Sequence, residues 1–232
     1  MTSASLPRRA LAFLARHKWS LSLAAVSTLC FVRLAGEMSE GEMDALDRGV
    51  EHVVDAWRGS VDLPMLALTT VGDVGGMATL AVVILVVLLA RQRRREAAYF
   101  LLCSGGGLLL NLGLKTLFHR ARPAAELVYR IAQPRSFSFP SGHSMGSAAV
   151  LSSAVVLLYA FRMPLSIRVA GAVVAAMTWA GVALSRVYFG AHFPSDVVGG
   201  ALAATAWVSA LTGWMYPRAL PGEHAIHPAP PM

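Results

Sequence analysis

Leu80-Ala81-Val82-Val83-Ile84-Leu85-Val86-Val87-Leu88-Leu89-Ala90 carries no polar side chain and is bounded by Arg91. Read back to Leu66, it becomes a mostly apolar stretch longer than the ~20 residues that cross the hydrocarbon of a bilayer. Five more stretches of this kind lie near Trp19–Leu34, Ala97–Phe118, Ser144–Phe161, Ile167–Val187 and Asp196–Tyr216. The first is the shortest and least regular. The composition agrees: 56% of the 232 residues are hydrophobic and 14% are charged, against about a quarter charged in a soluble domain. The expected fold is all-α and polytopic, with six transmembrane helices in one bundle. A single domain is expected over 1–216, and the proline-rich 217–232 reads as a short disordered cytoplasmic tail.

Arg and Lys set the orientation, because cytoplasmic loops carry the excess of positive charge. Arg8, Arg9, Arg16 and Lys18 precede the first span, and Arg91, Arg93, Arg94 and Arg95 follow the second. Arg162 and Arg168 flank the turn between the fourth and fifth, and Arg218 follows the sixth. Six spans bring all of these to one side. Both termini are therefore expected in the cytoplasm of a multi-pass plasma (inner) membrane protein. Gly36 to Asp62 then lies outside and is acidic, with Met43, Leu46, Val50, Val53, Val54 and Trp57 at helical spacing. That spacing predicts a short amphipathic helix at the outer interface or against the bundle. Lys115, Arg120, Arg122, Arg130 and Arg135 break the charge rule on the outer side. Positive charge there is tolerable where it serves an anionic ligand.

The net charge of +7 does not point to nucleic acid, since the basic residues form short clusters between spans and not a stripe. Cys30 and Cys103 fall inside spans and read as buried small hydrophobes, not a disulfide or metal pair. The first apolar segment has no persuasive signal-peptide cleavage site.

Three short stretches carry chemistry: Lys115-x6-Arg122-Pro123, Pro140-Ser141-Gly142-His143, and Ser185-Arg186-x5-His192-x3-Asp196. Under the charge-derived topology all three sit at outer helix ends. Lys115 and Arg122 share a helical face if the helix reaches Arg122; if it ends near Phe118, the loop must bring Arg122 back. Ser141 is a plausible N-cap, and Gly142 permits close backbone approach to a ligand. Together with free N–H groups they make the start of the fourth span an anion site. His143, about one turn into that helix, is placed to donate a proton. Ser195 reads as a cap of the sixth span with Asp196 in its first turn. A carboxylate bonded to one nitrogen of His192 fixes the tautomer and leaves the other nitrogen free to attack. His192 and Asp196 are also ordinary zinc ligands, but no third and fourth ligand occur at convincing spacing. Arg120, His119, Arg130 and Arg135 read as interfacial charge, and His17, His52, His224 and His227 as surface residues.

Together the three stretches resemble the signature of the type 2 phosphatidic acid phosphatase family, K-x6-RP, PSGH and SR-x5-H-x3-D, complete and without substitution. By motif the resemblance runs from about Asn111 to Asp196. It implies a six-helix bundle and metal-independent hydrolysis through a phosphohistidine, with no cofactor. It further implies that His192 is the nucleophile, Asp196 its orienting carboxylate and His143 the proton donor. Lys115, Arg122, Ser141, Gly142 and Arg186 would hold the phosphoryl oxygens, as phosphoryl transfer demands. The expected partners are a membrane lipid phosphate and the bilayer, with no obligate protein partner. An outward-facing site favours undecaprenyl diphosphate, phosphatidylglycerol phosphate or phosphatidic acid as substrate, with lipid A phosphates as an alternative. A transporter recognising a phosphate headgroup is the reading from another class. It would need polar residues leading inward through the spans, where Asn111 is the chief one.

Overall fold

The computed structural model describes residues 8–124 and 136–216. Arg130, Arg135, His224, His227 and the proline-rich end lie outside them. Among the described residues there are eight helices and no strand: α1 (Arg8–Ser39), α2 (Asp44–Asp55), α3 (Asp62–Gly72), α4 (Val74–Ala90), α5 (Arg94–Phe118), α6 (Gly142–Ala160), α7 (Leu165–Tyr188) and α8 (Pro194–Met215). Five segments are long and apolar enough to cross a membrane: Lys18–Ser39, Arg94–Phe118, Gly142–Ala160, Leu165–Tyr188 and Pro194–Met215. The first outruns the expected end at Leu34 by more than a turn.

The second expected span is broken. Instead of one helix over Leu66–Ala90, α3 and α4 meet at a 51° bend. Asp73, at the break, has an extended backbone (φ −64°, ψ 160°). The bend brings the last carbonyls of α3 onto the start of α4: a Cβ on Gly76 would lie 2.5 Å from Val71 O and 2.7 Å from Thr70 O. Only a residue without a side chain fits there.

Packing centres on α8, which lies against α1, α5 and α6. In hydrocarbon the helices gain little from the hydrophobic effect, so close backbone approach and interhelical hydrogen bonds hold them. Gly200 brings backbone against backbone; a Cβ on it would sit 2.8 Å from Ser141 O and 3.0 Å from Met145 N. Ser144 Oγ donates to Val197 O (2.7 Å) and accepts from Trp179 Nε1 (3.2 Å), tying α6, α7 and α8 together. At the far end, Tyr99 OH and Thr212 Oγ1 bond at 2.8 Å between α5 and α8, a contact worth about 0.6 kcal/mol in such bundles. Cys103 is buried in this core, but Cys30 is exposed on α1, contrary to the expectation that both are buried. The apolar residues around it, Val26, Leu29 and Val32, are exposed as well, as on a lipid-facing surface.

The chain therefore brings one set of helix ends together: the C-termini of α1, α5 and α7 and the N-termini of α6 and α8. The arginine-rich α4–α5 and α6–α7 turns lie at the other end. α2 caps the first set. Its inward residues are Val54 and Asp47, the latter 1% exposed, while Leu46 and Val53 face outward, as does Trp57 just beyond it.

Candidate active site

α5 ends at Phe118, where His119 takes the left-handed conformation (φ 50°). Lys115 thus projects from the last helical turn, and Arg122 returns from the following loop; the second of the two sequence alternatives is the one adopted. Lys115 Nζ donates to the carbonyls of Phe137 and Ser138. The Arg122 guanidinium donates to Ser136 O (2.6 Å) and Ala191 O (2.7 Å), and its Nη1 lies 3.1 Å from His192 Nε2. Its hydrogen bonds thus bridge the loop before α6 to the loop before α8. Beneath that first loop, Phe139 stacks against Phe31 and meets Phe118 edge-on, with centroids 5.6 and 5.1 Å apart.

Ser141 caps α6 as expected, its Oγ accepting from Ser144 N at 3.5 Å, and its own N–H donates to Asp196 O (2.9 Å). Gly142 is pressed against α5: a Cβ there would be 3.1 Å from Asn111 Oδ1 and 4.0 Å from Lys115 Cε. Asn111 Nδ2 in turn donates to Pro140 O (3.2 Å). Asn111 is therefore a brace between α5 and the Pro140 loop and does not begin a polar path through the bundle. His143 is the second residue of α6, within its first turn and not a turn deeper, and its Nε2 lies 3.5 Å from Asp73 Oδ1 at the α3–α4 break. Arg186, Arg122 and Lys115 are all close enough to act on its charge.

Arg186, 3% exposed in the last turn of α7, donates through Nη1 to Thr69 Oγ1 of α3 (2.5 Å), while its Nε has no protein partner. A buried guanidinium donor without an acceptor is costly unless an anionic group meets it.

His192 and Asp196 are both buried, 2% and 0% exposed. His192 Nδ1 lies 3.3 Å from Asp196 Oδ2 and 3.4 Å from Ser138 Oγ. Because the Arg122 guanidinium can only donate, the network assigns the ring proton to Nδ1 and leaves the lone pair on Nε2. Burial pushes the His192 imidazole well below the usual range, with Asp196 opposing the shift and Arg122 and Lys115 adding to it. The ring is therefore neutral at neutral pH. Asp196 Oδ2 also accepts from Ser138 Oγ and from Phe193 N (3.0 Å), so its carboxylate, and not Ser195, closes the start of α8.

Sequence reasoning missed several residues here. Arg120 is not interfacial charge: its side chain is 11% exposed, and it bridges Asp196 Oδ1 (2.7 Å) and Asp47 Oδ2 (2.8 Å). Its breach of the positive-inside pattern was the available signal. Asp47 accepts from Ser195 N (2.9 Å) and Ser195 Oγ (2.6 Å), but nothing set it apart in an acidic loop. Ser138, Thr69 and Asp73 belong to no spacing pattern. His119 rests edge-on against Phe137 and His52 is exposed.

A neutral, carboxylate-held imidazole gathered with Lys115, Arg122 and Arg186 thus lies at one end of a membrane-type helical bundle. The chain belongs to the PAP2 superfamily, which residues 96–219, just over half of it, match. A lipid A 1-phosphatase of Rhizobium etli is 38% identical over 118 residues, 48% of this chain and 46% of that protein. Phosphatidylglycerophosphatase B of Bacillus subtilis is 41% identical over 98 residues, 40% of this chain and 44% of that one. The matched region thus spans less than half the length of these relatives. The crystal structure of a transmembrane PAP2-type phosphatidylglycerolphosphate phosphatase from Bacillus subtilis superposes with a TM-score of 0.72 at 26% identity, over 83% of this chain and 95% of the other.

Proposed function

We propose that the protein is a lipid phosphate phosphatase that works through a phosphohistidine on His192 at the outer face of the plasma membrane. The observation that carries this reading is the His192–Asp196 pair with Nε2 turned toward the Arg122 guanidinium. The Nε2 lone pair attacks phosphorus and the bond to the lipid oxygen breaks. His143 gives that oxygen its proton, its charged form supported by Asp73 and by the negative charge of the bound phosphate. Water, deprotonated by the now neutral His143, then displaces phosphate from His192. Lys115, Arg122 and Arg186 carry the charge on the equatorial oxygens, with the amides after Ser141 at the α6 N-terminus.

A groove between α4, α5 and α6 supports a lipid substrate. Met77, Leu85, Leu101, Leu108 and Val150 line it, and it reaches Gly142 at the site. An acyl or prenyl chain lying there would keep its tail in hydrocarbon while its phosphate met the cations. If α3 and α4 count as one crossing, giving six, the excess of arginine in the α4–α5 and α6–α7 turns supports a cytoplasmic side there and a site facing outward. Together with the relatives, that placement favours undecaprenyl diphosphate, phosphatidylglycerol phosphate, phosphatidic acid or a lipid A phosphate.

The test is phosphate release by purified protein, in chelator, across a panel of these lipids compared by kcat/KM. Release that His192→Ala abolishes is expected. A metal requirement, or no release from any lipid phosphate, would overturn the reading.

A further inference from the structure

We propose that Arg120 and Asp47 are positioning residues that tune His192 through Asp196, so that α2 forms part of the catalytic apparatus. This rests on the reading of His192 as the nucleophile. The Arg120 fork divides between two carboxylates, Nη1 to Asp196 Oδ1 and Nη2 to Asp47 Oδ2, and its face lies 4.2 Å from the Phe193 ring centroid. Arg120 Nη1 also meets Ser195 Oγ (2.7 Å), whose proton goes to Asp47. Asp47 accepts in addition from Ser195 N, an amide in the first turn of α8 that the α8 helix leaves without an acceptor. The line Asp47–Arg120–Asp196 thus alternates in sign, is nearly dry, and joins α2 to the attacking ring.

In such a setting charges are weakly screened, and each carboxylate's hold on Arg120 is set by the other. Arg120 withdraws charge from Asp196, which then holds the His192 Nδ1 proton without pulling the ring toward imidazolium. Asp47 moderates that withdrawal. Among the described residues Arg122 and Lys115 also act on the charge of His192, Arg186 stands by as a third cation of the site, and the Ser138 hydroxyl bonds Asp196. Glu51, one turn along α2, faces Asp47 and Arg120. A lysine cannot reproduce the fork, since its ammonium is a point donor and not a planar pair.

The signs give the test. Removing the Arg120 charge makes the surroundings of His192 more negative, so its imidazolium gains and the acid limb of activity moves up in pH. Removing the Asp47 charge acts the other way. Wild type, Arg120→Gln, Arg120→Lys and Asp47→Asn are compared by kcat and KM for phosphate release from short-chain phosphatidic acid in detergent, across pH. Arg120→Gln is expected to lower kcat tenfold to a hundredfold, roughly the loss of one oriented charged hydrogen bond. Its KM should stay within about threefold and its acid limb should rise by on the order of half a pH unit or more. Arg120→Lys should restore part of kcat, and the limb of Asp47→Asn should stay or fall. Asp47→Asn is isosteric and still accepts from Ser195, so its limb is readable whatever happens to the arginine variants. A limb that stays in place in Arg120→Gln, or rises in Asp47→Asn, overturns the proposal. Ordinary turnover by His192→Ala in the same assay would instead refute the nucleophile assignment.

Discussion

Arg122 Nη1 lies 3.1 Å from His192 Nε2, across the gap between the loop after α5 and the loop before α8. The contact assigns the imidazole tautomer, because a guanidinium has only donors. It also marks where a phosphoryl group would meet nucleophile and cation together. With burial holding the ring well below the ordinary imidazole range, His192 should remain neutral at about pH 5.5, one unit under the usual value. Nitrogen-15 spectra of histidine-labelled protein in micelles should show an Nδ1–H tautomer there. In the unfolded chain this residue binds a proton near pH 6.5, so its contribution to stability falls as pH drops through that value toward the lower folded one. A charged His192 at pH 5.5 would contradict the assignment.

Gly200→Ala should destabilise the protein by about 1–3 kcal/mol, the usual cost of overpacking, because the added methyl meets backbone atoms of Ser141 and Met145. Since Ser141 caps α6 beside His143, activity should fall with thermal stability in detergent. Gly113→Ala, with open space around its Cβ, is the control and should melt no lower than wild type. Equal melting of the two variants would remove Gly200 as the α6–α8 contact.

Thr69→Val deletes the partner of Arg186 Nη1 while keeping the shape of the side chain. Arg186 should then lose its fixed aim at the phosphoryl group, and kcat/KM should fall about tenfold, or about 1.4 kcal/mol. Arg186→Gln should cost more, on the order of a hundredfold to a thousandfold, as for loss of a transition-state donor. If Thr69→Val lost as much as Arg186→Gln, Thr69 would be doing more than holding the guanidinium.

The hydrophobic runs disclosed most helices because their signal is local and long, and the charge clusters between them set which ends lie together. The break at Asp73 escaped, since its cause is the contact of Gly76 with carbonyls before the bend, a relation no periodicity expresses. The signature stretches similarly disclosed Lys115, Arg122, His143, Arg186, His192 and Asp196, each in a fixed spacing. Arg120 gave a partial signal as positive charge on the wrong side. Asp47, Ser138 and Thr69 gave none, for they reach the site from helices and loops distant in sequence.

The charge distribution predicts an orientation that can be checked directly. With Cys30 and Cys103 replaced by alanine, a cysteine at Glu40, exposed between α1 and α2, should react with an impermeant thiol reagent on intact cells. A cysteine at Ala90, at the arginine-rich end of α4, should react only after lysis. The reverse pattern would invert the bundle.

The most direct test of the central claim is acid- and base-quenched trapping of label from a lipid carrying radioactive phosphate. The account predicts a protein-bound phosphate, stable to alkali and labile to acid, that maps to His192 and is absent from His192→Ala. Turnover by His192→Ala at the wild-type rate, or label on another residue, would contradict it.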